Sequence, residues 1–206
     1  MLIPGVLETI RSINPKLLPQ ERREILEPLK QYVYKRFHAK QPILLNFICT
    51  HNSRRSQFAQ MWAQTMSSYF GINNVLAFSG GTEVTRLYKQ VALTLTNQGF
   101  LIKQLSNGDN PIYSVKFKES QMPMIGFSKL YDDAFNPGSG YAAIMTCDQA
   151  HEECPVIIGA EQRIPISIQD PKFSDGTQQE EEVYRAKSLE IASEMYFVFS
   201  KIAKLW

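Results

Sequence analysis

Cysteine is scarce in this chain, which has three, Cys49, Cys147 and Cys154, among 206 residues. So few, and an odd number, exclude the dense disulfide framework of small secreted scaffolds and leave room for reactive thiols. Charge of one sign is also lacking. Lys and Arg number 22 against 20 Asp and Glu, a net charge of +2, so no global field argues for a nucleic-acid partner. The small surplus is local: residues 1–40 hold eight Lys/Arg against four Glu, which reads as a solvated surface. No apolar run approaches the roughly 20 residues that span a bilayer, and Met1 to Gly5 lacks the charged start and cleavage pattern of a secretory signal. The expectation is a cytoplasmic protein without a membrane segment. Internal repeats and low-complexity tracts are absent as well.

What is present is ordinary globular composition, 44% hydrophobic and 20% charged, in a length that suits one domain with an appendage. Residues 1–40 read as a helical extension: a short segment near Val6–Ile13, then Leu17–Phe37, where Ile25, Leu29, Tyr32, Val33 and Phe37 recur at helical spacing. Pro28 is expected to kink or split the second segment. Ile43–Ile48 is nearly continuously apolar, as a parallel strand covered on both faces should be. A loop from Cys49 to Arg55 then leads into a helix striped by Phe58, Trp62, Met66 and Tyr69 and stopped by Gly71.

A second strand and helix follow: Val75–Ser79, a turn at Gly80-Gly81, and Arg86–Gln98 closed by Gly99. This alternation predicts an α/β sheet with right-handed crossovers. Residues 105–141, rich in Asn, Gly, Pro and Ser, read as an insertion in which Ile112–Phe117 pairs with Met124–Tyr131 as a hairpin. Tyr141–Thr146 is a third core strand and Ile164–Ile168 a fourth, ending at Asp170-Pro171. Thr177 with Glu180 forms the pattern of a capping box for a long final helix.

Residues 49–56, Cys-Thr-His-Asn-Ser-Arg-Arg-Ser, stand between a buried strand and a helix start. The first N–H groups of a helix lack partners and carry partial positive charge, so a loop entering one is a ready oxyanion cradle. The same donors favour a thiolate, which would let Cys49 attack without a dedicated base. Arg55 offers a planar fork matched to two oxygens of a bound tetrahedral anion. Ser56 can hydrogen-bond the sulfur, and Asn52 tolerates the left-handed backbone that tight turns require. The oxyanion-binding set is therefore Thr50, His51, Asn52, Ser53, Arg54, Arg55 and Ser56.

Cys-x-x-Asn-x-x-Arg-Ser after a strand resembles the phosphate-binding loop of the low-molecular-weight protein tyrosine phosphatase fold. The longer stretch from Cys49 to Gln57 is more similar to the thioredoxin-coupled arsenate reductases built on that fold. The resemblance covers about residues 43–205. It implies a three-layer α/β/α architecture with a central, mostly parallel, four-stranded sheet: a catalytic domain over residues 41–206, with the extension and the insertion added. It also implies that Asp170 of the Asp-Pro pair is a general acid, protonating the oxygen that leaves the central atom.

A phosphatase needs one thiol, whereas reduction needs electrons. Cys147 through Cys154-Pro155, with two thiols seven apart, resembles the redox segment of the arsenate reductases and implies a three-thiol relay: attack by Cys49, a Cys49–Cys147 disulfide, then exchange to Cys147–Cys154, which thioredoxin or a similar dithiol reduces. The alternative is a phosphatase hydrolysing phosphomonoesters through a phosphocysteine. Neither chemistry requires a cofactor, and no metal site is carried over. Cys147, Cys154 and His151 match no zinc spacing, and Gln60 replaces the glutamate of the potassium-binding reductases. His51 stands where a glycine is usual and Arg54 where a cysteine is frequent, while Lys172-Phe173 replaces the tyrosine pair of the tyrosine phosphatases. Residues 1–40 either pack on the sheet or form a homodimer surface.

Overall fold

In the computed structural model, which describes residues 1–147 and 156–203, a parallel four-stranded sheet is the middle layer of an α/β/α architecture. Its strands are β1 (Ile43–Cys49), β2 (Val75–Gly81), β6 (Tyr141–Met145) and β7 (Ala160–Pro165), in the order β2-β1-β6-β7. A small antiparallel sheet joins β3 (Leu101–Gln104), β4 (Tyr113–Lys116) and β5 (Met124–Gly126). The helices are α1 (Pro4–Ser12), α2 (Gln20–His38), α3 (Arg55–Tyr69), α4 (Lys89–Asn97) and α5 (Glu180–Ala203).

The central place of β1 follows from its composition. Ile43, Leu45 and Phe47 enter the main core, while Ile48 and Cys49 join a smaller cluster with Tyr141, Met145 and Cys147 on the other face. Burying each of the larger side chains contributes about 1.5–3 kcal/mol, so the strand is stable only where both faces are covered. With β2 on one side of β1 and β6 on the other, the strand order reverses at β1. The crevice outside the carboxyl ends of such a sheet is its natural binding place, and Cys49 is the last residue of β1.

Trp62 of α3 is fully buried, meets Phe100 edge-on at 5.1 Å and donates from Nε1 to Ser188 Oγ of α5 at 2.9 Å. The outer strand β2 is protected by Gln64, whose amide donates to Val75 O and accepts from Ala77 N, both at 3.0 Å. These are the edge groups that would otherwise recruit another strand.

The N-terminal residues are integral to the core: Val6, Ile10, Leu26, Leu29 and Val33 are all buried in the main cluster. α1 crosses the end of α4 so closely that a Cβ at Gly99, whose φ is +91°, would lie 2.6 Å from Gly5 Cα. Of the kink or split expected at Pro28, the split does not occur: α2 runs through it as one helix. Burial of Leu26 and Leu29 beside the proline outweighs a cost of about 3 kcal/mol. Arg22 of α2 reaches both α5, through Glu194, and the segment after β7, donating to Ser167 O at 2.8 Å.

Other boundaries moved. Gly80 and Gly81 extend β2 instead of forming a turn, and α4 begins three residues later than expected. β7 runs over Ala160–Pro165, ahead of the expected Ile164–Ile168, because polar residues on this outer strand hide its pairing from a pattern search. The expected residues still hang on β6, with Ile166 N donating to Met145 O and Ile168 N to Thr146 O. The hairpin in the insertion exists as β4 and β5, with β3 as a third strand. The capping box does not close. Thr177 Oγ1 accepts from Gln179 N at 3.3 Å, but Glu180 Oε1 accepts from Tyr88 OH at 2.6 Å instead of reaching back.

Candidate active site

The loop from Thr50 to Arg54 is anchored through its carbonyls. Thr50 O accepts from Glu83 N at 2.8 Å, His51 O from Ser128 Oγ at 2.8 Å, Asn52 O from Gln57 Nε2 at 3.0 Å and Ser53 O from Tyr88 N at 3.1 Å. A trans peptide directs its N–H opposite to its C=O, so fixing the carbonyls outward turns the N–H groups inward. Asn52 N donates to Cys49 Sγ at 3.2 Å, and Ser56 Oγ lies 3.1 Å from the same sulfur. The N–H groups of His51, Ser53 and Arg54 have no hydrogen-bond partner among the described residues. A buried sulfur under a cup of unpaired donors at the start of α3 can hold an oxyanion against its nucleophile.

Asn52 is the keystone. It is fully buried at φ +46°. Its Nδ2 donates to Ser56 Oγ at 2.8 Å, and its Oδ1 accepts from Gln57 Nε2 and from Lys129 N, each at 3.1 Å. Gly81 leaves the space the loop needs, since a Cβ there would come within 2.6 Å of Thr50 O and 2.9 Å of Asn52 N. Asn52→Ala should destabilise the fold by about 2–4 kcal/mol, combining stranded polar groups with a left-handed alanine. Asn52→Gly should recover about 1 kcal/mol of that by relieving the backbone alone. Denaturant unfolding of both variants checks the order.

Arg55 and Asp170 meet at the rim. Arg55 Nη2 lies 2.7 Å from Asp170 Oδ2, and its Nη1 donates to Ile168 O at 3.2 Å. Asp170 Oδ1 accepts from Lys172 N at 3.0 Å and caps the 3-10 turn Pro171–Ser174. The continued pairing of Ile166 and Ile168 with β6 carries the carboxylate to this position.

Arg54 does something else. Its guanidinium is committed to Asp175 and to Tyr184 OH, the latter at 2.5 Å, and lies over the Tyr88 ring at 4.1 Å. Only its main-chain N–H remains for an anion. His51 Nε2 pairs with Glu83 Oε2 at 3.3 Å on the exposed rim. Cys147, held beside β1 by Thr146 N donating to Ile48 O at 2.7 Å, places its Sγ 3.5 Å from Thr50 Oγ1. Cys154 and His151 lie outside the described residues. Gln57 was not among the expected site residues. Its amide binds Asn52 twice and Phe127 O at 2.8 Å, and its place as the last residue of the stretch Cys49 to Gln57 was the only sequence signal for it.

The fold has relatives among solved structures. A low-molecular-weight phosphotyrosine phosphatase from Vibrio cholerae O395 aligns with TM-score 0.50 at 14% identity, covering 77% of this chain and 95% of its own. An arginine phosphatase from Geobacillus stearothermophilus aligns with TM-score 0.50 at 16% identity, covering 80% and 95%. A low-molecular-weight protein tyrosine phosphatase from T. tengcongensis gives TM-score 0.50, 15% identity and coverage of 77% and 99%. The fold is that of the low-molecular-weight phosphatases. No family model matches the chain, and no curated protein is significantly similar to it. Among the described residues no helix is long and apolar enough to cross a membrane.

Proposed function

We propose that this chain reduces arsenate to arsenite through Cys49, Cys147 and Cys154. The observation that carries the reading is the second buried thiol: Cys147 packs in the same cluster as Cys49 and touches the loop at Thr50, a position a hydrolase has no need to furnish with sulfur. Arsenate enters the cup and Arg55 exchanges Asp170 for an arsenate oxygen. Cys49 forms an S–As bond while an oxygen leaves as water, taking its proton from Asp170. Cys147 thiolate then attacks the Cys49 sulfur. The S–As pair passes to arsenic, As(V) becomes As(III), arsenite departs and a Cys49–Cys147 disulfide remains. Cys154 attacks Cys147 to free Cys49, and a dithiol such as thioredoxin reduces the last disulfide.

Arsenite formation with thioredoxin and its reductase as the electron source tests this. Cys147→Ser should stop turnover while leaving the arsenate adduct on Cys49, and wild-type protein that forms no arsenite would end the reading. The second reading is phosphomonoester hydrolysis. It would use the same Arg55 and Asp170 at the rim of the cup and needs no second thiol. Under it, aryl phosphate turnover needs Cys49 and Asp170 and survives Cys147→Ser.

A further inference from the structure

Away from the Cys49 cup, a cavity of about 330 Å³ opens between the outer strand β2 and the segment from Gln121 to Phe135. Its mouth gathers apolar side chains that a soluble surface seldom groups: Leu76 is 54% exposed, Met122 87% and Phe135 59%. Its floor holds Lys129, only 3% exposed. The ammonium lies 4.7 Å from the Phe127 ring centroid and makes no hydrogen bond to any described residue. The remaining polar lining is uncharged, from residues such as Gln60 and Gln64, and no lining residue is Asp or Glu. A buried cation without a bonded counter-ion is costly, and this one faces a mostly apolar space.

We infer that this cavity binds a small amphipathic carboxylate, with its head on the Lys129 ammonium and its apolar body between Leu76, Phe78 and Phe135. Volume and chemistry both select this class. About 330 Å³ is at the small end of ligand sites, and one amine with glutamine amides matches a monoanion better than a phosphate dianion. Burial pushes the Lys129 amine down to about 8, with Asp133 acting against the shift, so the head group meets a largely charged amine at neutral pH. The main chain of the same residue is joined to the active site: Lys129 N donates to Asn52 Oδ1 and Lys129 O accepts from Gly81 N at 2.8 Å.

Calorimetric titration of the intact protein with octanoate, octan-1-ol and inorganic phosphate tests the site. Octanoate should bind at least about tenfold more tightly than octan-1-ol, and Lys129→Met should weaken it about tenfold or more, as expected for a lost charge-assisted bond. Leu76→Glu, at an exposed position where the fold is not at risk, should weaken octanoate by repulsion at the mouth. Three results would overturn the inference: no octanoate binding up to about 10 mM, equal affinity for octan-1-ol, or affinity unchanged in both variants. Phosphate competing with octanoate would also overturn it, by placing both ligands in the Cys49 cup.

Discussion

Cys49→Ser is expected to abolish turnover of arsenate and of aryl phosphate alike, by about 10⁴-fold or more, because no second group can form the covalent intermediate. Binding of the oxyanion should survive. The cup is built from main-chain N–H groups whose carbonyls are tied to Glu83, Ser128, Gln57 and Tyr88, none of which depends on the sulfur. A serine oxygen can still accept from Asn52 N and meet Ser56. Initial rates with both substrates, together with calorimetry of phosphate binding, separate the two effects. Activity within tenfold of wild type would refute the assignment of the nucleophile. Lost binding with the fold retained would refute the account of the cup.

Arg22→Ala should cost about 3–5 kcal/mol of stability, the loss typical when one partner of a buried ion pair is removed. Glu194 is completely buried and receives Arg22 Nε at 2.5 Å and Nη2 at 3.0 Å. Desolvation already holds its carboxyl above the usual carboxylate range despite the arginine. The native state therefore keeps this proton more tightly than the unfolded chain, and stability falls as pH rises from the unfolded value toward the folded one. Removing Arg22 lifts the folded value further and widens that window. The deficit of the variant should accordingly be smaller near about pH 5 than near about pH 8. Urea unfolding at both values decides, and a deficit independent of pH would contradict the explanation. Replacing both residues by methionine should restore most of the stability, since an apolar pair strands no charge. Arg22 also holds Ser167 O, three residues before Asp170, so Arg22→Ala should slow any step that uses Asp170.

Local patterns made much of this legible in advance. β1 and the first turn of α3 could be placed because a doubly buried parallel strand has to be continuously apolar, and because asparagine, arginine and serine at fixed offsets from a cysteine suit few other loops. Cys49, Asn52, Arg55 and Ser56 accordingly stand together. Where the pattern was weak the reading slipped. β7 is an outer strand whose Ala-Glu-Gln-Arg start lacks apolar alternation, and its pairing is settled by β6 alone. Pro28 reads as a kink or a split by local rule, yet α2 stays one helix because the apolar face on both sides of it is fixed by packing on α5 and the sheet.

The side chain of Arg54 shows the limit most clearly. Two adjacent arginines at a helix start are equivalent by composition, and only the offset from Cys49 singles out Arg55 in the sequence, with Arg54 kept in the oxyanion-binding set. Why the Arg54 side chain takes no part depends on Asp175 and Tyr184, more than 100 residues away, which claim it while Arg55 meets Asp170. The sequence alone determined that a cysteine ends a buried strand beneath a helix start, because that information is local and repeats the chemistry of backbone donors. The tertiary structure alone decided that the Arg54 side chain is drawn away to Asp175 and Tyr184, why an N-terminal helix steadies the Asp170 segment, and that Lys129 lies at the floor of a cavity. Each of those facts is a contact between distant segments, and long-range pairing leaves no periodicity in a single chain to be read.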